Sequence, residues 1–120
     1  MRVRTAFGPL VFAATATAAV AAEPVPIPYQ AFDLGTHHRA VSTSNADAQK
    51  AFDQGLVWSF SFNHGDAERA FREAARLDDT LAAAWWGIAL VNGPHINNTT
   101  VDEAHAKAAW EALGEARKRR

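Results

Sequence analysis

From Ala46 onward the apolar positions return every three or four residues, the period of helices that are packed along one side. Ala48, Ala51, Phe52, Gly55, Leu56, Trp58, Ser59 and Phe62 predict a first helix over about 46–62, capped by Ser44 or Asn45. The turn Phe62-Asn63-His64-Gly65-Asp66 leads into a second stripe, Ala67, Ala70, Phe71, Ala74 and Leu77. Glu68, Arg69, Arg72, Glu73 and Arg76 fall on the opposite side of that helix and are expected to face water, with Glu68 and Arg72 paired at i,i+4. Asp78-Asp79-Thr80 is expected to cap a third helix over about 81–92, which Gly93-Pro94 stops. After the polar loop His95-Ile96-Asn97-Asn98-Thr99, the capping box Thr100-Val101-Asp102-Glu103 opens a fourth helix carrying Ala104, Ala106, Ala109, Trp110 and Leu113. Arg117-Lys118-Arg119-Arg120 places cations at its C-terminal end, where the helix dipole favours them.

Upstream the periodicity is absent. Residues 29–45 contain Leu34-Gly35, the pair His37-His38 and the polar cluster Ser42-Thr43-Ser44-Asn45, and read as an extended arm anchored by Phe32, Leu34 and Val41. Pro24, Pro26 and Pro28 alternate with other residues and hold residues 23–28 on an extended path, a tether. Before it, Arg2 and Arg4 precede an uncharged run ending in Val20-Ala21-Ala22, the pattern of a secretory signal over 1–22 with small residues at the cleavage point. A membrane anchor is the competing reading, but the run is alanine-rich and broken by Gly8-Pro9. The expected division is therefore a signal peptide (1–22), a tether and arm (23–45) and an all-α domain (46–120), and the expected location is the periplasm or the medium outside the cell.

The all-α part repeats. A shift of 34 residues lays Ala51 on Trp85, Gln54 on Ile88 and Gly55 on Ala89. In the second helix of each pair the match moves to 39 residues, setting Ala67, Phe71 and Ala74 against Ala106, Trp110 and Leu113. Gly55-x-x-Trp58, Ala67-x-x-x-Phe71, Ala74 and Trp85-x-x-Ile88-Ala89 at this spacing resemble tetratricopeptide repeats over residues 46–117. The order Leu34-Gly35, a histidine pair, Phe52-Asp53-Gln54-Gly55-Leu56, Trp85-Trp86-Gly87-Ile88-Ala89 and Gly93-Pro94 is similar to the opening repeats of longer exported bacterial tetratricopeptide proteins of unassigned function. Gln54, Asp79 and Asn92 depart from the usual leucine, proline and large aromatic of the motif, and a four-helix bundle without solenoid character would use similar stripes. The resemblance implies two antiparallel helix pairs, 46–79 and 80–120, stacked as a short solenoid and continued by further repeats in a longer array.

It also implies a concave face lined by Gln49, Phe52, Leu56, Ser59 and Phe60 in the first repeat and by Ala83, Trp86, Leu90, Gly93 and Pro94 in the second. Repeats that clamp a terminal carboxylate carry lysine, arginine and asparagine at such positions, and none stands there. An apolar face of this kind either binds a protein or peptide partner or, the favoured outcome, is covered by the chain's own arm or by further repeats.

Composition narrows the chemistry. Apolar residues make up 48% of the 120, with alanine frequent among them, which suits closely approaching helices. Net charge is −1 and becomes −3 once Arg2 and Arg4 are cleaved away, so general affinity for nucleic acid is excluded as an expectation. The absence of cysteine removes disulfides and thiolate chemistry. No nucleophile with a base, phosphate-binding glycine loop or HExxH pattern is present, so neither enzyme activity nor a cofactor is expected. Histidine is the exception. His64 and His95 both fall at the turn within their helix pair, so stacking brings them to one edge, where they are candidate metal ligands with Asp66, Asn97 or His37-His38. The alternative is that His64 packs on the neighbouring repeat and His95 is a loop residue. A helix pair also needs neighbours on both sides, so two repeats are expected to leave an apolar flank around Trp110 that joins further repeats or self-associates.

Overall fold

The computed structural model describes residues 32–119; the expected signal (1–22), the tether and Arg120 lie outside them. Four helices follow one another: α1 (Ala46–Phe60), α2 (His64–Leu77), α3 (Ala82–Asn92) and α4 (Glu103–Lys118). They form two helix pairs, α1 with α2 and α3 with α4; α2 also packs on α3, and α1 touches α3. Among the described residues there is no strand, and none of their helices is long and apolar enough to cross a membrane.

Local chemistry sets where each helix begins and ends. Asn45 caps α1, its side-chain oxygen accepting from the N–H groups of Asp47 and Ala48 at 3.0 and 3.1 Å. The helix ends at Phe60, two residues short of the expected end, because Phe62 turns into the left-handed region at φ 60. The N–H of Phe62 then bonds the Ser59 carbonyl and that of Asn63 the Trp58 carbonyl, closing the last turn in the manner usually given to glycine. Asn63 goes on to cap α2. For α3 the expected Asp78-Asp79-Thr80 cap is corrected: Leu81 holds the cap position with no side-chain bond, since the Asp78 carboxylate is taken by Thr80 and by the Thr43 hydroxyl, at 2.5 Å. The capping box of α4 is corrected too. Asp102, not Thr100, is the cap, accepting from the His105 N–H at 2.9 Å, while the Thr100 N–H is held by Asn98 inside the preceding turn.

Small residues let the helices approach. Ala48, Ala51, Ala67, Ala70, Ala74 and Ala84 are fully buried, and Leu56, Leu81 and Ile88 join them. At the centre lies Phe71, 5.6 Å from the Phe52 ring. A Cβ built on Gly55 would come within 2.6 Å of the Phe71 ring, and one on Gly87 would meet the same ring as closely. One α2 side chain is thus clamped between α1 and α3 by two glycines.

Two expectations about faces change. Glu73, placed on the wet side of α2, is buried and holds Arg76 through two bonds of 2.6 Å. On α4 the expected inner stripe is only partly inward: Ala106 and Trp110 are exposed, Trp110 by 68%, Leu113 still packs on the core, and Ala112 is the buried residue. One residue is a rotation of about 100°, so centring the contact on Ala112 instead of Leu113 is enough to carry Ala106 and Trp110 outward.

Candidate functional site

The face predicted to be a groove divides into three parts. Phe52 and Leu56 are buried in the core instead of lying open along a groove, which corrects their assignment; Phe52 reaches only the wall of a cavity. Ser59 and Ala83 are half-buried, and Phe60, Trp86 and Leu90 are exposed by 75, 44 and 42%. Gln49 is engaged by the arm. Of the repeat positions, Gly55, Ala67, Phe71, Ala74, Ile88 and Ala89 are buried as expected, and Trp58 and Trp85 are half-buried against the core.

The arm lies along α1, from its first turn to Trp58. Gln49 holds it with both ends of its amide: Oε1 accepts the Val41 N–H at 3.1 Å and Nε2 donates to the Arg39 carbonyl at 2.8 Å. One turn on, Asp53 accepts the Arg39 N–H at 2.9 Å through Oδ1 and meets His38 Nδ1 at 2.8 Å through Oδ2. Phe32 sits edge-on to Trp58, and Val41 packs on the core. Asp53 carried no assigned role in the sequence because it belongs to no apolar stripe and its partners lie 14 and 15 residues away. A cavity of about 530 Å³ lies between residues 32–38 and α1, Leu34 among its walls. A second, of about 630 Å³, lies between residues 39–42, Phe52 and the start of α3, with Trp86 and Arg119 on its border.

Arg119 belongs to the C-terminal basic run and closes the far end. It bonds the Asp79 carbonyl and carboxylate, bonds Glu115 at 2.6 Å, and lies 4.7 Å over the Trp85 ring. Its bonds to Glu115, then those to Asp79, hold its proton more firmly than usual; the bonds from Lys118 and Arg119 hold the Glu115 carboxyl below its ordinary range.

The histidine edge assembles as the repeat spacing implied. His64 and His95 meet with ring centres 4.3 Å apart, and the Phe62 ring lies nearly parallel to that of His64 at 6.5 Å. His105 joins them around a cavity of about 290 Å³, its Nδ1 2.8 Å from Asp102. The His105 N–H, then its ring, hold the Asp102 carboxyl below the usual carboxylate range. Asp66 is taken by Asn63 and Arg69, and His38 by Asp53. Among the described residues no three His, Cys, Asp or Glu side chains are grouped so as to hold a metal ion. No protein-family model, curated protein or solved structure matches the chain.

Proposed function

We propose that this chain is an exported tetratricopeptide-like scaffold, the first part of a longer array, that binds a protein or peptide partner through the side of α1 and α3 carrying Phe60, Trp86 and Leu90. The observation that carries the reading is the contrast along that side. Phe52 and Leu56 are buried, whereas Phe60, Trp86 and Leu90 leave large apolar surface in water, Trp86 at the rim of a cavity. Panning a displayed peptide library against the full chain tests it. Binders that lose the chain when Trp86 and Leu90 are both changed to Asp are the expected result, and binders indifferent to both changes refute the site.

The second reading, metal binding at His64 and His95, draws on their contact at 4.3 Å. Two imidazoles alone leave half of a tetrahedral zinc site to outside ligands. Zinc is therefore expected to raise the melting temperature little; a large rise abolished by His64→Ala with His95→Ala would favour the metal reading.

A further inference from the structure

We propose that the outer side of α4 docks against α4 of a second copy of this chain, the two helices running antiparallel with Trp110 against Trp110 and Glu103 against Arg117. The proposal goes beyond the scaffold reading: it gives to a copy the side of α4 that the reading leaves to a following repeat, and it makes no use of the Trp86 face.

The two sides of α4 are unlike. Inward, Ala112 is buried, Leu113 packs on the core and Arg119 is tied to Asp79. Outward, Glu103, Ala106, Trp110, Gly114 and Arg117 recur every three or four residues and so form one stripe along the helix. Glu103, Ala106, Trp110 and Arg117 are exposed, and Gly114 is half-buried. Gly114 is the first mark of a missing neighbour. Glycine weakens a helix interior, and at Gly55 and Gly87 the Phe71 ring accounts for it; a Cβ on Gly114 would meet nothing within 4 Å. Nothing in the described chain uses the space that this glycine leaves, whereas a bulky ring set down from outside would use it.

The charges identify the visitor. Every other charged or imidazole side chain from His105 to Arg119 has its partner within the chain: His105 with Asp102, Lys107 with Glu111, Lys118 and Arg119 with Glu115. Among the described residues Glu103 and Arg117 have no ion pair, the Arg117 guanidinium lying 5.7 Å over the Trp110 ring. Fourteen residues of helix hold the two charges about 21 Å apart, too far to meet. A second α4 turned end for end about Trp110 brings Glu103 opposite Arg117 and Ala106 opposite Gly114, each pair formed twice, which is the self-complementarity that a two-fold interface needs. A parallel copy would instead set Glu103 on Glu103 and Arg117 on Arg117. Ala106 and Gly114 leave room for the two indoles between the charged ends. One helix side against another is a small interface, so the dimer is weak and forms as concentration rises. Each dimer would carry two Trp86 faces and hold a repetitive partner more tightly than a single chain does.

Sedimentation equilibrium of the full chain tests the proposal. The parent is expected to pass from monomer to dimer with rising concentration. Glu103→Arg and Arg117→Glu, each alone, put like charges at both ends of the pairing and are expected to weaken the dimer roughly tenfold. Mixed in equal amounts, the two variants regain both opposite pairs and are expected to associate with each other as tightly as the parent does. Gly114→Leu enters open space in the single chain, so the dilute melting temperature should not fall, yet the dimer is expected to weaken. A parent that is monomeric at millimolar concentration overturns the proposal and leaves this side of α4 to a following repeat. A dimer indifferent to both reversals, or a mixture no tighter than its components, overturns the antiparallel pairing. Should a reversal fail to fold, Glu103→Gln and Arg117→Gln each remove one charge and are expected to weaken the dimer by less; an unchanged dimer again overturns it. Peptides that depend on Trp86 and Leu90 are a separate measurement, so the scaffold reading can stand or fall alone.

Discussion

Phe71 is enclosed by glycine on two sides, and this explains why Gly55 and Gly87 sit inside helices that alanine would otherwise favour by roughly 1 kcal/mol each. Overpacking dominates at both. Gly55→Ala and Gly87→Ala are each expected to destabilise by about 1–3 kcal/mol in urea unfolding, the ring being hemmed in and unable to yield. Phe62 presents the reverse case. A bulky residue at φ 60 costs about 1–2 kcal/mol, and asparagine tolerates that conformation, so Phe62→Asn is expected to raise the urea midpoint. A third residue ties stability to pH. The Thr43 hydroxyl, then Thr80, hold the Asp78 carboxyl below its ordinary value. A carboxyl held low in the folded state stabilises above its unfolded pKa and loses that effect as pH falls through the folded one. Thr43→Val should therefore lower the melting temperature near pH 7, with the gap to the parent closing in acid; an unchanged gap would show that Asp78 is not the partner that matters.

At the scale of elements, apolar spacing located all four helices, and residue chemistry located some of their ends. Asn45 and Asn63 are caps because amide oxygens reach free N–H groups of the first turn. The starts of α3 and α4 were harder to read, since each is preceded by two or more residues able to cap and turn geometry chooses among them. Asp78 is diverted to Thr43, 35 residues away, and Thr100 is drawn into the turn at Asn98. Asp102→Ala is accordingly expected to lower the melting temperature by a few degrees and Thr100→Ala to leave it nearly unchanged. Equal effects would restore Thr100 as the cap.

For the whole molecule, the two ends of the stack differ. The side of α1 is occupied by the arm through Gln49 and Asp53, whereas α4 turns Ala106 and Trp110 to water, with Arg117 5.7 Å over the indole as its described contact. An exposed tryptophan beside alanines is a surface on which another helix can stack. Sedimentation at rising concentration is expected to show self-association that Trp110→Ser reduces, while the same change leaves the melting temperature of the dilute chain within about 2 °C. A monomer at all concentrations would remove α4 as a docking face.

The sequence by itself determined the helices, the glycine and alanine positions that let them approach, and the meeting of His64 with His95, because helical bonds span four residues and the repeat fixes which turns share an edge. Only the tertiary structure decided which side of α4 is inward, that Phe52 and Leu56 are core, that Gly87 joins Gly55 around Phe71, and that Gln49 with Asp53 grips the arm. Each of these depends on groups far apart in sequence, such as Arg119 and Asp79 at 40 residues or His38 and Asp53 at 15. Single polar residues of this kind repeat with no period, and their partners are chosen by distance in space after the helices have packed.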